Sequence, residues 1–413
     1  MKILYIKKII RKIKNSFHLL EAFLANLIYG FPSKKIKVIG VTGTDGKTTT
    51  THLIYHILKT AGRKVSMIST VYAKIGAKVY DTGLHVTTPS SFLIQKLIFQ
   101  AVKNKDEFFI LETTSHGLDQ NRVWGVKFDI GLITNITHEH LDYHITYENY
   151  VKAKEKLIKM AKIGIVNKKD NYFKLLDEKI SEKSLDYFTV EPKIRKDFPN
   201  LEGYNILNYS ASYFVCKLLN ISEGQIIKAM KTFQLPKGRL ALVYNKEFKV
   251  IIDFAHTPNA FLNLLPEVKR KYLLKNGRLI HLFGCAGKRD FSKREKMGEI
   301  SARFSDVIIL TEEDYRTEDI NIIFNQIKKG IEKKGFSFKK PDELKENDKK
   351  NYTIVINRQE AIDLAIKIVQ KNDVVLLTGK SHEKSLCRGK IEYPWDEFTA
   401  VKKSLKKNNY DCF

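Results

Sequence analysis

Short apolar runs alternate with amphipathic stretches along most of the chain from Lys35 onward. Such alternation is typical of strands and helices that follow one another in a largely parallel sheet. In the first half the pattern predicts strands at Ile36–Val41, Phe108–Glu112, Phe128–Thr134 and Gly164–Val166, and helices at Thr48–Thr60, Ser91–Lys103 and Tyr147–Lys162. In the second half it predicts strands at Lys249–Phe254, Arg278–Phe283, Val307–Thr311, Tyr352–Ile356 and Val374–Thr378, with helices between them.

The tripeptide Pro236-Lys237-Gly238 separates these two series. Proline and glycine together favour a turn or a hinge. We therefore expect three parts: a basic helical segment at 1–33, a larger α/β domain at 34–237 and a smaller α/β domain at 238–413. The predicted fold class is α/β, with a mainly parallel sheet in the central domain.

Residues 1–33 have an amphipathic pattern of their own. Apolar residues recur at helical spacing from Ile3 to Leu27, and a basic face fills the first turns with Lys7, Lys8, Arg11, Lys12 and Lys14. A secretory signal fits poorly, because Glu21 interrupts the apolar part and no small-residue cleavage site follows. Two interpretations remain. Either the helix packs on the domain behind it through Ile6, Ile10, Ile13 and Phe17, or residues 1–14 lie peripherally on the anionic inner face of a membrane.

Composition narrows the class of protein. With 43% hydrophobic and 29% charged residues among 413, the chain is expected to be globular, and no run of 18 uncharged apolar residues predicts a spanning helix. The chain has four cysteines, which are Cys216, Cys285, Cys387 and Cys412. They are far apart and form no CxxC pair, which excludes a zinc ribbon and suits a reducing cytoplasm. The net charge of +26 is spread along the chain without a nucleic-acid recognition module, so we expect no nucleic-acid partner. We also expect a monomer.

A glycine-rich motif follows the first predicted strand and opens a helix. From Gly40 to Thr50 it reads Gly-Val-Thr-Gly-Thr-Asp-Gly-Lys-Thr-Thr-Thr. Backbone N–H groups of such a loop close around phosphate oxygens, and the helix N-terminus favours anions. Lys47 would reach the terminal phosphates and the Thr48 hydroxyl would bind Mg²⁺, although a standard phosphate loop has glycine where Val41 stands. The predicted nucleotide contacts are Gly43, Thr44, Asp45, Gly46, Lys47, Thr48 and Thr49.

This motif and six further stretches resemble the Mur ligase family, and most of all its MurE-type members, which add the third amino acid of the peptidoglycan precursor peptide. The stretches occur in family order: Thr87-Thr-Pro-Ser, Glu112–Arg122, Thr134–His144, Asp253–Pro258, Phe283–Asp290 and Gly379–Glu383. The resemblance implies a P-loop central domain and a Rossmann-like C-terminal domain. It also implies that ATP phosphorylates a substrate carboxylate, and that an amine then attacks the acyl phosphate.

The same resemblance implies a catalytic set and two Mg²⁺ sites. The catalytic residues would be Lys47, Glu112, His140 and Lys154, and the metal ligands Thr48, Glu112, His140 and Lys154. Lys154 would carry a carbamate derived from CO₂, which turns a cation into an oxygen ligand and requires an amine of lowered pKa. Lys152 and Lys156 are alternatives in register, and the family has Asp where Glu139 stands.

Further residues are assigned by the resemblance alone. Asn208, Arg239 and Asp253 would contact the nucleotide, although Ala241 stands where the family has an acidic residue. The muramoyl peptide would be bound by Thr87, Thr88, Thr114, Gln120 and Arg122. The incoming amino acid would be bound by Arg289, Glu313, Asp314, Arg316, Gly379 and Glu383.

The expected amine is meso-diaminopimelate. The family signature for that amine, Asp-Asn-Pro-Arg, is here Glu313-Asp314-Tyr315-Arg316, which retains the arginine that clamps a distal carboxylate. Ser381 also replaces the middle glycine of the family's Gly-Lys-Gly-His-Glu.

MurE-type enzymes begin with a uridine-diphosphate-binding domain, for which residues 1–34 are too few. We therefore expect the acceptor to be recognised through its muramoyl-peptide end. The alternatives are a ligase for a lipid-linked muropeptide, a lysine-adding enzyme, a folylpolyglutamate-like synthetase and a catalytically silent relative. The stretch His116–Arg122 argues against the folate substrate, and the four catalytic residues argue against the silent relative.

Overall fold

The computed structural model describes residues 2–83, 87–137, 139–175 and 185–410, so Cys412 lies outside the described residues. The chain divides into two compact units, and the boundary falls between Pro236 and Lys237. Each unit has its own sheet and its own hydrophobic core.

The first unit contains an eight-stranded sheet within the described ranges. Its strands are β1 (Lys37–Thr42), β2 (Val65–Ile68), β3 (Ala73–Ile75), β4 (Lys78–Tyr80), β5 (Phe108–Glu112), β6 (Phe128–Ile133), β7 (Ala161–Asn167) and β8 (Leu185–Phe188). Its helices are α1 (Lys2–Ile28), α2 (Lys47–Thr60), α3 (Ser91–Lys103), α4 (Ser115–Asp119), α5 (Leu141–His144), α6 (Tyr147–Met160), α7 (Pro192–Asp197), α8 (Gly203–Leu218) and α9 (Glu223–Thr232). Two 3₁₀ turns lie at Pro32–Lys35 and Asn171–Leu175.

The strand order β4-β3-β2-β5-β1-β6-β7-β8 places β1 between β5 and β6. From β2 to β8 every neighbouring pair is parallel, whereas β3 and β4 pair antiparallel at one edge. In register, Val41 lies opposite Glu112 on one side and Leu132 on the other. The carboxyl ends of these three central strands therefore meet at one edge of the sheet, which is where ligands bind in α/β proteins.

The second unit contains a seven-stranded sheet of order β13-β14-β12-β11-β15-β10-β9, parallel except for the pair β9–β10, as far as the described residues show. Its strands are β9 (Ala241–Asn245), β10 (Lys249–Asp253), β11 (Leu279–Phe283), β12 (Val307–Leu310), β13 (Ser337–Phe338), β14 (Asn351–Ile354) and β15 (Val374–Thr378), and a hairpin forms from β16 (Ser385–Arg388) and β17 (Ile391–Pro394). Its helices are α10 (Pro258–Tyr272), α11 (Arg294–Phe304), α12 (Ile320–Glu332), α13 (Arg358–Lys367) and α14 (Glu397–Lys407).

The predicted α/β class and mainly parallel sheets are confirmed. The strands Phe108–Glu112 and Val374–Thr378 and the helix Ser91–Lys103 have the predicted bounds. The helix predicted to run to Lys162 ends at Met160, because strand β7 starts at Ala161. The strand predicted at Gly164–Val166 was therefore too short.

Helix α1 packs on the first unit, but not through Ile13 and Phe17. Ile13 and Phe17 are 66% and 68% exposed, so the packing interpretation does not hold for these two side chains. The side chains of Ile6 and Ile10 lie outside what the structure describes. Within the described residues, no helix has the length and apolar character needed to cross a membrane.

Candidate active site

The glycine-rich loop lies between β1 and α2, as predicted. Gly43 and Gly46 have φ angles of 153° and 82°. A Cβ on Gly46 would lie 2.1 Å from Oδ1 of Asn208, so a side chain at either glycine is excluded by backbone conformation or by space. The Lys47 Nζ donates to the carbonyl oxygen of Thr44 at 2.7 Å and so lies across the loop.

The segment after β6 holds this loop in place. The Asn135 carbonyl accepts from the Thr44 N–H at 2.9 Å, and the Asn135 side chain accepts from the Asp45 N–H at 3.0 Å. Thr134 Oγ1 and Asn135 Nδ2 donate to the Asp45 carbonyl at 2.7 and 2.9 Å. Asn135 was missed as a positioning residue. Its signal was its place directly after a strand adjacent to β1.

Glu112 ends β5 and lies fully buried beside the start of α2. Its Oε1 accepts from the hydroxyls of Thr48 at 2.9 Å and Thr70 at 2.7 Å, and its Oε2 accepts from the Thr70 N–H at 2.8 Å. Thr70 was also missed by the sequence analysis. A carboxylate and a hydroxyl at a phosphate loop are oxygen ligands of the kind that Mg²⁺ takes together with substrate phosphates.

Lys154 is the buried lysine of helix α6, with 1% of its surface exposed. Its Nζ donates to the carbonyl oxygen of Gly43 at 2.6 Å and lies 4.5 Å from the ring centre of Tyr150. Burial, followed by the positive charge of Lys47, lowers its pKa well below the usual range. Lys152 is exposed and the side chain of Lys156 is 41% exposed, so Lys154 is the one buried lysine among the three registers.

His140 lies in a group of aromatic rings next to Lys154. Its ring centre is 4.8 Å from that of His116 and 6.2 Å from that of Tyr150. Neighbouring His144 bonds Ser115 Oγ through Nε2 at 3.0 Å, and burial lowers its pKa to about 3. Within the described ranges, no three His, Cys, Asp or Glu side chains group as a metal site. Mg²⁺ commonly combines one or two carboxylates with phosphate oxygens and water.

The residues predicted for the muramoyl peptide surround the end of β5. Thr88 Oγ1 accepts from the Thr114 N–H at 2.8 Å, and Arg122 Nη1 donates to the Thr88 carbonyl at 2.8 Å. Burial lowers the pKa of Arg122. Thr87 Oγ1 lies 3.1 Å from Thr70 Oγ1. Gln120 Nε2 donates to the Tyr143 hydroxyl at 3.4 Å.

The structure thus brings Thr87, Thr88, Thr114 and Arg122 to the carboxylate-bearing strand that also faces the phosphate loop. On the other side of the loop, Asn208 is 1% exposed and accepts from Thr50 Oγ1 at 3.3 Å. The Asn208 Nδ2 has no hydrogen-bond partner in the described part of the chain. This buried donor is available to a ligand atom.

In the second unit, Asp253 ends β10 and is buried. Its carboxylate accepts from the N–H groups of Leu240 and Ala255, both at 2.7 Å. Burial raises its pKa, against the lowering effect of the Arg239 charge. The Arg239 guanidinium lies 4.8 Å from the ring centre of Phe254. Because Phe254 directly follows Asp253, Arg239 lies close to Asp253.

The loop Glu313–Arg316 meets the segment that begins at Gly379. Asp314 Oδ1 accepts from Lys380 Nζ and from the Cys387 N–H, both at 2.9 Å. Lys380 Nζ also lies 2.6 Å from Glu383 Oε2. Arg316 Nη1 donates to the Gly287 carbonyl at 2.9 Å. Lys380, which the sequence did not point to, joins Asp314 and Glu383, two of the three predicted acidic residues.

Glu313 is the buried acid of this loop. Burial, and next the charge of Asp314, raise its pKa to about 7. Its Oε2 has no hydrogen-bond partner among the residues described, and a Cβ on Gly379 would lie 2.9 Å from it. Glycine at 379 therefore keeps open the space beside this carboxyl group. Arg289 is exposed on the loop after β11.

Comparison with known families decides what these two units are. Residues 41–231 match the Mur ligase middle domain, and residues 238–381 match the Mur ligase, glutamate ligase domain. The chain belongs to the Mur ligase family. Members of this family are ATP-dependent amide ligases that use Mg²⁺, so the predicted family, enzyme class and nucleotide are confirmed.

Two curated relatives lie near this Mur ligase in sequence. The UDP-N-acetylmuramoyl-L-alanyl-D-glutamate--2,6-diaminopimelate ligase of Clostridium botulinum is 36% identical over 389 residues, which span 88% of this chain and 76% of the relative. The UDP-N-acetylmuramyl-tripeptide synthetase of Borreliella burgdorferi is 34% identical over 429 residues, spanning 96% of this chain and 80% of the relative.

Solved structures support the fold. A UDP-N-acetylmuramoyl-L-alanyl-D-glutamate--2,6-diaminopimelate ligase aligns with a TM-score of 0.57 at 23% identity, covering 91% of this chain and 79% of the other. E. coli FolC in complex with DHPP and ADP aligns with a TM-score of 0.66 at 16% identity, covering 95% and 93%. At these identities the likeness concerns the fold alone.

Proposed function

We propose that this Mur ligase adds meso-diaminopimelate to the free carboxylate of a muramoyl dipeptide, in the cytoplasm, at the cost of ATP. ATP phosphorylates the carboxylate, and the incoming amine displaces phosphate to form the amide. The observation that carries the proposal is the position of Glu112. Its side chain accepts from Thr48 of the phosphate loop, and its backbone carbonyl accepts from Thr88 Oγ1 at 3.5 Å. Phosphoryl donor and acceptor would therefore meet at one strand end.

The first unit would supply the charges for phosphoryl transfer. Lys47 would bind the terminal phosphates, and Thr48 and Glu112 would hold one Mg²⁺. His140 and Lys154 would contribute to a second Mg²⁺. Mg²⁺ bound there would neutralise the negative charge that develops on the phosphate oxygens.

We further propose that Lys154 is carbamylated. Its neutral amine would attack the carbon of CO₂, form an N–C bond and release one proton, which leaves a carboxylate on the side chain. Burial next to Lys47 supports this step, because both lower the pKa of the amine. The carbamate would then be an oxygen ligand where the amine was none.

The remaining residues would bind substrates. The first unit would hold the muramoyl peptide through Thr87, Thr88, Thr114, Gln120 and Arg122, and the nucleotide through the loop residues Gly43–Thr49 and Asn208. In the second unit, Arg239 and Asp253 would contact the nucleotide. The amino acid would be bound by Arg289, Glu313, Asp314, Arg316, Gly379 and Glu383.

Diaminopimelate is supported by the name of the Clostridium botulinum relative and by Arg316. A guanidinium can pair with the distal carboxylate of diaminopimelate, which lysine lacks. The acidic side chains Asp314 and Glu383 can in turn bind an ammonium group. Lysine remains the competing amine in the test.

The test is phosphate release from ATP with purified enzyme. UDP-linked and lipid-linked muramoyl-L-alanyl-D-glutamate would each be supplied with diaminopimelate or with lysine, and the product mass recorded. We expect turnover that requires both acceptor and diaminopimelate. Phosphate release that is independent of any muramoyl acceptor would contradict the proposal.

A further inference from the structure

Helix α1 exposes a continuous apolar face. Five large side chains recur at intervals of three or four residues, and Ile28 follows the last of them; all six are between 43% and 68% exposed: Ile13, Phe17, Leu20, Leu24, Leu27 and Ile28. They form one stripe, here named the outer face of α1, that extends along the helix for roughly 24 Å at 1.5 Å per residue. Contiguous apolar surface of this kind marks an interaction site.

The opposite side of α1 holds the helix on the first unit through polar and small residues. Arg11 Nε and Asn15 Nδ2 donate to Asp119 Oδ2 at 2.8 and 3.2 Å, and Asn26 Nδ2 donates to the Trp124 carbonyl at 2.9 Å. Ala22 is fully buried between these anchors. A helix that serves only as core packing turns its apolar side inward. Here the polar side faces inward and the apolar side faces outward.

Two observations indicate what covers the outer face. The 1–33 segment carries six basic residues and one acidic residue, Glu21, within a chain of net charge +26, so a second copy of the chain would be repelled and an anionic surface attracted. Beside the stripe, the rings of Phe23 and Trp124 lie 5.9 Å apart, and Trp124 is 38% exposed. Tryptophan at the edge of an apolar face is typical of membrane interfaces.

We propose that the outer face of α1 docks on an anionic phospholipid membrane, with the helix in the plane of the surface. The apolar stripe would insert at the level of the acyl chains, and exposed basic residues such as Lys14 would contact headgroups. Because Arg11 and Asn15 anchor the opposite side of α1 to Asp119, docking would hold the loop that carries Gln120 and Arg122 behind the helix, roughly one helix diameter of 10–12 Å from the membrane.

The first test is co-sedimentation of the full-length protein with vesicles. Phosphatidylcholine vesicles would be compared with vesicles that also contain phosphatidylglycerol, at low and high salt. We expect binding only to the anionic vesicles, and weakening of that binding by salt, since the Debye length falls from about 30 Å at 0.01 M to about 10 Å at 0.1 M.

A variant and a matched control locate the docking surface. Phe17→Ser, Leu20→Ser and Leu24→Ser together should weaken vesicle binding by at least about tenfold, because three apolar side chains no longer insert. The control replaces three equally exposed apolar residues of the second unit, Leu274→Ser, Phe338→Ser and Ile391→Ser, which are 52%, 52% and 59% exposed. Equal weakening in both variants would overturn the proposal.

Tryptophan fluorescence gives an independent readout. With Trp395→Phe, Trp124 is the sole tryptophan of the chain. Its emission should shift to shorter wavelength on anionic vesicles and be quenched by brominated lipids. Unchanged emission with bound vesicles would mean that another surface docks. A different result would overturn the proposal in favour of a second copy of the chain. In that result the wild type sediments as a dimer, the α1 triple variant sediments as a monomer, and neither protein binds vesicles.

Discussion

The Nζ of Lys154 donates a 2.6 Å hydrogen bond to the carbonyl oxygen of Gly43, the first residue of the phosphate loop turn. Helix α6 and the loop are thereby joined by a side chain that is 1% exposed. A lysine enclosed in this way next to Lys47 has a depressed pKa. Because a lowered pKa favours the neutral amine, the Lys154 nitrogen is able to react as a nucleophile.

If Lys154 carries the proposed carbamate, Lys154→Ala should lower ligase activity at least about a hundredfold, because an oxygen ligand of the metal and its charge would be lost. Short carboxylates such as acetate should restore part of the activity by occupying the vacated space. Lys154→Met fills that space and is the matched control, since it should be equally inactive but not rescued. Phosphate release measures all three.

The carbamate itself can be observed. Wild-type enzyme depleted of CO₂ should lose activity and regain it with bicarbonate, and ¹³C-bicarbonate should give a carbamate signal that Lys154→Met lacks. Full activity in carefully CO₂-free buffer would contradict carbamylation.

Lys47→Ala should reduce ATP turnover by at least about a hundredfold and leave the fold intact. Lys47 is half-buried, and in the proposed mechanism it contributes charge at the phosphates rather than core packing. The exposed Lys59, at the other end of the same helix, offers the control substitution Lys59→Ala. Steady-state phosphate release and thermal unfolding are the measurements. Turnover near that of the wild type would remove the phosphate-loop assignment.

The sequence predicted those parts of the site that are encoded in contiguous motifs. The glycine loop stands in a local pattern with known chemistry, whereas Glu112 and Lys154 were assigned through stretches that resemble the family. Thr70, Asn135 and Lys380 were missed because they reach the site through the pairing of separate elements. Thr70 follows β2, which pairs with β5, and Asn135 follows β6, which pairs with β1.

Helix α1 illustrates a different limit. Its periodicity predicts an amphipathic helix correctly, yet periodicity does not say which side faces the protein. That orientation depends on Asp119 and the Trp124 carbonyl, which hydrogen-bond the polar side.

Arg316→Ala should lose activity with diaminopimelate, and its activity ratio of diaminopimelate to lysine should be smaller than that of the wild type. The wild type should prefer diaminopimelate on the order of a hundredfold, since binding lysine leaves the guanidinium without its carboxylate partner. Arg316→Lys keeps the positive charge but loses the planar guanidinium. Its preference for diaminopimelate should therefore lie between those of the wild type and Arg316→Ala. The ratio of kcat/KM values for the two amines is the measurement. Equal wild-type rates with both amines would show that Arg316 has another role.

The buried His281 should make stability depend on pH. It bonds Ser301 Oγ at 2.8 Å and Thr378 Oγ1 at 3.1 Å, and burial lowers its pKa from 6.5 to about 3. Between these pH values the unfolded chain binds a proton that the folded chain does not. The free energy of unfolding should therefore fall as pH decreases from 6.5 towards 3, by about 1.4 kcal/mol per pH unit for this group.

His281→Asn should remove the part of the pH dependence of unfolding free energy that comes from His281. This holds for any change in stability that the substitution causes at pH 7. Urea unfolding at pH 7, 6 and 5 would give the slope for each protein, with the second unit followed by a local probe. An unchanged slope in the variant would mean that His281 titrates normally in the folded chain.

Glu397→Gln should destabilise the second unit by about 3–5 kcal/mol, because it leaves a buried guanidinium without its counter-charge. Arg358 and Glu397 are both fully buried, with Nη2 and Oε1 2.5 Å apart, and Trp395 Nε1 donates to Glu397 Oε2 at 2.7 Å. The control is the surface pair of Arg63 and Glu107, each 43% exposed, where Glu107→Gln should cost less than about 1 kcal/mol. Chemical denaturation of both variants measures the difference. Similar small losses of unfolding free energy in Glu397→Gln and Glu107→Gln would mean that the buried pair contributes no more to stability than the solvated pair. In that case the joint replacement Arg358→Met with Glu397→Leu should destabilise the protein at least as much as Glu397→Gln alone.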